Sequence, residues 1–137
     1  MQHRLADARS HRLLRDPLVV APADTLGEAA EQMRSRGDGS GIVAAFVQLV
    51  GIITSRDLLD ALAGRLHSSE ARVRQWMTDE PITVQPTTTL DAAAILMTEH
   101  GIHHLPVVEG ERPVGMIGMR EVMRSATPFG AGVAREA

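Results

Sequence analysis

The side chains best suited to chemistry stand at Thr54-Ser55-Arg56-Asp57 and at His100, His103 and His104. In the first group a hydroxyl and a carboxylate lie three residues apart, where the apolar stretch Leu49 to Ile53 gives way to a helical pattern over Arg56 to Ala63. A helix start presents unpaired backbone N–H groups, so a polar or anionic ligand can be held there. Thr, Ser and Asp also cap helices for purely structural reasons, and that alternative stands beside the first. The histidines titrate near pH 6.5 and can meet an anion once protonated. They can equally form a strand-edge pair, one ring packed and one exposed, or contribute to a zinc or nickel site. No carboxylate or thiolate completes a recognisable ligand set, so no metal site is expected.

Composition narrows the classes of function. The chain has 137 residues, enough for one compact domain built from two half-size units. Its net charge of −3 gives no electrostatic case for binding nucleic acid. There is no cysteine, which excludes disulfides, thiol nucleophiles and zinc–thiolate sites. The longest apolar run, Ile42 to Ile53, is broken by Gln48 and falls short of the roughly twenty residues of a membrane span. The N-terminus lacks the apolar stretch of a secretory signal, so a soluble cytoplasmic protein with no membrane partner is expected. No nucleophile–base pair, no informative carboxylate pair and no phosphate-cradling glycine loop appears, so no enzymatic activity is expected.

The elements that must position these residues come in two copies, sixty-four residues apart. Pro17 matches Pro81, Thr25-Leu26 matches Thr89-Leu90, and Ala29-Ala30 matches Ala93-Ala94. Met33 matches Met97, Gly37 matches Gly101, Val50-Gly51 matches Val114-Gly115, and Arg56 matches Arg120. A fixed offset means two similar structural units, and the repeat is read before any local motif. Each copy predicts strand, helix, strand, strand, helix. In the first copy these are Leu18–Val20, a helix capped by Asp24 or Thr25 and closed by Gly37, strands Ile42–Phe46 and Leu49–Ile53, and a helix ending at Gly64. In the second they are Ile82–Val84, a helix capped by Thr88 or Thr89 and closed by Gly101, strands Leu105–Val108 and Val114–Ile117 joined by a turn, and a helix over residues 119–125.

This plan resembles the cystathionine β-synthase (CBS) domain in its paired arrangement, the Bateman module. The residues that carry the resemblance are Gly51-Ile52-Ile53-Thr54-Ser55-Arg56-Asp57, Met77-Thr78 before Pro81-Ile82-Thr83-Val84, and His103-His104-Leu105-Pro106-Val107-Val108. It covers about residues 9 to 125. The implied fold is α+β: two tandem β-α-β-β-α repeats related by a pseudo-twofold axis, their small mixed sheets packed together with flanking helices. The expected boundaries are a helical segment over 1–15, repeat one over 16–64, a linker over 65–75, repeat two over 76–126 and a tail over 127–137.

The resemblance implies that an adenosine-containing ligand (AMP, ADP, ATP or S-adenosylmethionine) binds in a cleft between the repeats, with no other cofactor required. Asp57 would then accept hydrogen bonds from the ribose hydroxyls and Thr54 would donate to a phosphate, with Arg56 beside them. The opposing wall would be Thr78, Pro81, Ile82, Ile102, His103 and His104. The second copy departs at these positions, with Gly118 in place of Thr54, Glu121 in place of Asp57, and Arg120 matching Arg56. Its opposing wall would be Pro17, Leu18 and Gly39-Ser40-Gly41, and this second site is expected to be degenerate. The expected function is regulation of a separate partner protein by a bound adenosine ligand, in a homodimer that forms a flat four-repeat disc. The alternative is a ligand-independent interaction scaffold with vestigial clefts. In either case Leu58, Leu59 and Leu62, or Val122 and Met123, could make the dimer contact.

Overall fold

A computed structural model describes residues 4–6, 16–64 and 70–126, and the repeat governs what it contains. Repeat one runs β1 (Val19–Val20), α1 (Leu26–Arg36), β2 (Ser40–Ala45), β3 (Gln48–Thr54) and α2 (Ser55–Ala63). A short helix α3 (Val73–Trp76) and strand β4 (Thr78–Asp79) lead into repeat two, which continues as α4 (Leu90–His100), β5 (His104–Glu109), β6 (Arg112–Gly118) and α5 (Met119–Ala126). Leu26, Ala29 and Met33 are buried on α1, and their counterparts Leu90, Ala93 and Met97 are buried on α4. The first helix begins in a capping box: the Thr25 hydroxyl accepts from Glu28 N–H, and Glu28 accepts from Thr25 N–H. In the second helix Ala92 replaces Glu28, so Thr89 caps it alone. Gly37 and Gly101 close these helices in the left-handed conformation, at φ 72° and 62°.

The two hairpins share one construction. Strand β2 pairs antiparallel with β3, and β5 pairs with β6; each pair breaks register at the same repeat position, Val43/Ala44 and Val107/Val108. The first strands differ. β1 lies parallel to β2, and Ile42 N–H donates to Leu18 C=O at 2.7 Å. The strand expected over Ile82–Val84 shrinks to a single bridge between Val84 and Val107. Ile42 is matched there by Pro106, which has no N–H to donate, so the corresponding ladder bond cannot form. Val84 N–H to Pro106 C=O and Val108 N–H to Val84 C=O are the bonds that remain.

The segment before each repeat crosses to the other one. Val73 N–H donates to Asp24 C=O and Arg74 N–H to Pro22 C=O, while Leu5 N–H donates to Thr88 C=O and Ala6 N–H to Pro86 C=O. These are equivalent bonds on equivalent acceptors. Residues 70–75, expected to be linker, therefore belong to the fold of repeat one: Ala71 and Val73 lie in its core with Leu18, Val20, Met33 and Ile53. Apolar side chains in that stretch are buried, and a solvated linker would leave them in water. Leu5 does the same for repeat two and is fully buried among Val84, Leu90, Met97, Leu105 and Ile117. Of the helical segment expected over 1–15, Leu5–Ala6 is helical and most of the rest lies outside the described residues, as do the tail expected over 127–137 and residues 65–69.

β4 then pairs with β3, Thr78 opposite Ile52 and Asp79 opposite Gly51. A Cβ on Gly51 would meet Thr78 C=O at 2.7 Å, so the strands close only over glycine. Between the repeats, Ile42, Ala44 and Ile52 of one sheet bury against Met116 of the other. At one margin of this seam Leu49 N–H donates to Glu111 C=O at 3.0 Å, and the Gln48 amide donates to the Glu111 carboxylate at 2.6 Å.

Leu5→Ala is expected to cost about 2–5 kcal/mol, as for any fully buried leucine. Urea denaturation of the full chain measures it. A loss within about 0.5 kcal/mol, typical of a surface position, would mean that the N-terminal segment is not part of the core of repeat two.

Candidate functional site

A cavity of about 520 Å³ opens between the repeats, where the first turn of α5 meets the starts of β2 and β5. Repeat one contributes Pro17, Leu18, Gly39 and Ser40, with Asp16 and Asp38 alongside. Repeat two contributes His103, His104, Gly118, Arg120 and Glu121, over Met116 and Met119. Ser40 and His104 are the same repeat position, sixty-four residues apart, so both copies place their β-strand start in one cavity. Ser40 is buried. His104 reaches across to repeat one: a Cβ on Gly39 would stand 3.7 Å from His104 Nε2. Such a volume suits a ligand of nucleoside or nucleotide size.

The electrostatics centre on His104. Burial pushes its pKa below the ordinary 6.5, and His103 adds to that, while Glu121 pulls the other way. Both histidines therefore lie with Glu121, Gly118 and Arg120, the residues expected to form a degenerate site. The sequence set both histidines opposite Asp57, a grouping that stays a proposal. His103 C=O accepts from Met119 N–H at 2.8 Å and Gly39 C=O accepts from Ser55 N–H at 3.0 Å, so each repeat ties the start of its middle strand to the first turn of its closing helix in the same way.

Thr54 and Asp57 close on each other. Thr54 N–H and hydroxyl donate to Asp57 Oδ2 at 2.9 and 3.0 Å, and Asp57 N–H donates to Thr54 Oγ1 at 3.2 Å. This is a capping box at the start of α2, and neither residue lines the cavity of about 520 Å³. Burial raises the Asp57 pKa above its ordinary 3.8, against the lowering effect of the bonds from Thr54, with Asp60 adding a smaller rise. A carboxylate ionised at such a cost gains from any further hydrogen-bond donor brought to it.

Arg56 is an exposed residue paired with Asp60 at 3.4 Å. Ile82 and Ile102 pack half-buried against the core of repeat two, and Pro81 is half-buried beside them. Thr78 is exposed on β4, on the strand that flanks β3 and so on the side of Thr54. Leu18 both lines the cavity and belongs to the core of repeat one.

Sequence reasoning missed Asp16, Gly37, Asp38, Met116 and Met119 as lining residues. Asp16 and Asp38 flank the wall segments already singled out, and adjacency was the one signal that could have found them. Asp38 accepts a bond from Arg36 at 2.7 Å, and Arg36 also donates to Asp16 C=O at 2.7 Å. Among the described residues, no group of three or more His, Cys, Asp or Glu side chains is arranged to hold a metal ion.

His104 is harder to protonate in the folded chain than in the unfolded one. Its contribution to stability is therefore complete above about pH 6.5 and is lost as the pH falls through that value towards its folded pKa. Urea midpoints of the wild type should fall more steeply than those of His104→Asn between about pH 7.5 and pH 5.5. Parallel slopes would contradict the burial of the ring.

Comparison with known proteins agrees with the fold. The CBS domain family model matches residues 11–64 and 73–127. An inosine-5'-monophosphate dehydrogenase of Korarchaeum cryptofilum is 36% identical over 119 residues, covering 85% of this chain and 24% of that enzyme. The chain spans 24% to 65% of the first curated relatives it matches. The CBS domain pair of protein MJ0100, in complex with 5-methylthioadenosine and S-adenosyl-L-methionine, superposes with a TM-score of 0.80 at 27% identity, covering 96% of this chain and 99% of that one. A CBS domain protein of Pyrobaculum aerophilum complexed with AMP, PAE2072, gives a TM-score of 0.76 at 26% identity, covering 86% and 88%. No described helix is long and apolar enough to cross a membrane. With both repeats matched and the paired sheets in place, the chain belongs to the CBS domain family, as a tandem pair.

Proposed function

We propose that this chain is a non-catalytic regulatory module that binds an adenosine-containing ligand between its repeats and acts on a separate partner protein. The observation that carries this reading is the cavity of about 520 Å³, which neither repeat forms alone. A ligand held there touches both copies, so its binding energy depends on how they are packed. A ligand that favours one packing shifts the population towards it. The relatives support the ligand class: AMP is bound by one CBS domain protein, and 5-methylthioadenosine and S-adenosyl-L-methionine by another. AMP, ADP, ATP and S-adenosylmethionine share the adenosine that such a cleft would recognise.

Two carboxylates are candidates for holding ribose. Glu121 lies in the cavity and Asp57 at the equivalent helix start in repeat one, with Thr54 as the neighbouring hydroxyl. The wall proposed for Asp57 comprises Thr78, Pro81, Ile82, Ile102, His103 and His104. A second reading, a ligand-independent scaffold, draws on the capping box that occupies Thr54 and Asp57 and on apolar side chains exposed on the closing helices. Leu59 and Leu62 on α2 and Met123 on α5 are each more than half exposed. They suit a homodimer, which is compatible with either reading.

Native mass spectrometry of freshly purified protein is expected to find an adenosine-containing compound on the chain, and subunit count comes from the same spectrum. An apo protein that also ignores a panel of adenine nucleotides would favour the scaffold. Asp57→Ala removes half of a capping box and should cost about 1 kcal/mol of stability. If Asp57 also holds ribose, adenosine affinity should fall at least about tenfold by calorimetry, since a hydrogen bond to a charged group contributes about 1.5–3 kcal/mol. Unchanged affinity would remove Asp57 from the site and leave the ligand with Glu121.

A further inference from the structure

We infer that the tip of the first hairpin is a contact for a second copy of this chain, with Phe46 of each copy entering a hollow beside the hairpin tips of the other. Phe46 stands in the turn between β2 and β3 at φ 59°, in the left-handed region, and its ring is fully exposed. Sixty-four residues on, the same turn position is Gly110, at φ 66°, and Val47 is matched by Glu111. Glycine enters this region freely, whereas a bulky side chain is strained there. The turn itself is therefore best served by the glycine and the polar residue of repeat two. Repeat one carries phenylalanine and valine instead, and Val47 is 68% exposed. Two adjacent apolar side chains held in water, one of them at a conformational cost, do nothing for the fold of their own copy.

The hollow that suits this prong lies beside it. About 190 Å³ in volume, it is lined by Gln48, Leu49, Thr83, Val108, Gly110 and Glu111, at the end of the molecule where both hairpins turn. A cavity of about 150 Å³ already holds benzene, so a phenyl ring fits. Phe46 of the same chain does not line it. A prong and a hollow on one surface make that surface complementary to itself, the condition for a twofold contact between identical copies. The charges agree. The rim carries both signs, with Arg112 at 3.9 Å from Glu109 and Glu111 nearby, so a second copy meets opposite as well as like charges. The Gln48 amide donates to the Glu111 carboxylate at 2.6 Å and holds the two hairpin tips in register around the hollow. Aromatic anchors seated in pockets dominate the energy of such contacts. Each phenylalanine covers about 150–250 Å², which leaves the contact below the roughly 1,200 Å² of a standard interface and makes the association weak and concentration-dependent. β2 runs from Ser40 in the adenosine cavity to Ala45 beside the turn, so the tips lie roughly 20 Å from that cavity and leave it open.

The test is sedimentation velocity of the full chain from about 10 μM to about 1 mM, the range in which a contact of this size assembles. The weight-average sedimentation coefficient of the wild type is expected to rise across it. Phe46→Gly removes the prong, and Thr83→Trp fills the hollow from its exposed side. Each is expected to weaken the association at least about tenfold, while contacts through the closing helices stay as they are. Urea melts at about 1 μM, where the tips are apart, read what Phe46 does for its own chain and confirm that both variants fold. The midpoint of Phe46→Gly is expected to match or exceed that of the wild type, because glycine suits the turn. A lowered midpoint would mean that the ring serves the fold and would overturn the inference. So would a coefficient that stays constant with concentration, or one that rises identically in all three proteins; the second result would assign the association to the closing helices.

Discussion

The structure depends on the burial of two small sheets against each other. Neither hairpin has enough apolar surface covered by its own helices: Ile42, Ala44 and Ile52 of repeat one need Met116 of repeat two. The reciprocal crossing of Leu5 and Val73 reinforces this constraint, because each repeat completes its core with a residue that precedes the other one. Burying a leucine or valine side chain contributes roughly 1.5–3 kcal/mol. Exchanging two of them makes the halves hard to separate. The cavity is a by-product of the same arrangement, since it opens where the hairpin ends meet and the apolar seam stops.

The pseudo-symmetry is kept where packing demands it and relaxed where solvent or a ligand would be met. The helix cores, the left-handed glycines and the register break in each hairpin repeat at the same offset. Gly39 and Ser40 against His103 and His104, and Thr54 and Asp57 against Gly118 and Glu121, do not. Small residues on one side make room for larger ones on the other. His104 lies over Gly39, and Glu121 folds onto Gly118. A symmetric fold therefore carries an asymmetric cleft.

Most of the fold was legible in the sequence because caps, helix faces and glycine terminators act locally and occur twice. The misjudged parts are those decided by distant contacts. The strand over Ile82–Val84 is lost to the missing N–H of Pro106, twenty-two residues after Val84. Of the linker expected over 65–75, residues 70–75 are drawn into a core by Ala71 and Val73, whose apolar character was visible but whose partner was not. At the site, sequence identified the residue types and both helix starts. It also set the histidines opposite Asp57, and that grouping stays a proposal, because the bond from Met119 N–H to His103 C=O has its counterpart in Ser55 N–H to Gly39 C=O and so favours neither side.

The central claim is that an adenosine ligand sits between the repeats, beside His104. Histidine-ring NMR during titration with adenosine tests it most directly, because the chain has six histidines and, among the described residues, His103 and His104 line the cavity. The account expects the His103 and His104 resonances to shift saturably while that of His100, exposed at the end of α4, stays in place. Saturable binding that leaves the His103 and His104 rings unmoved would contradict it.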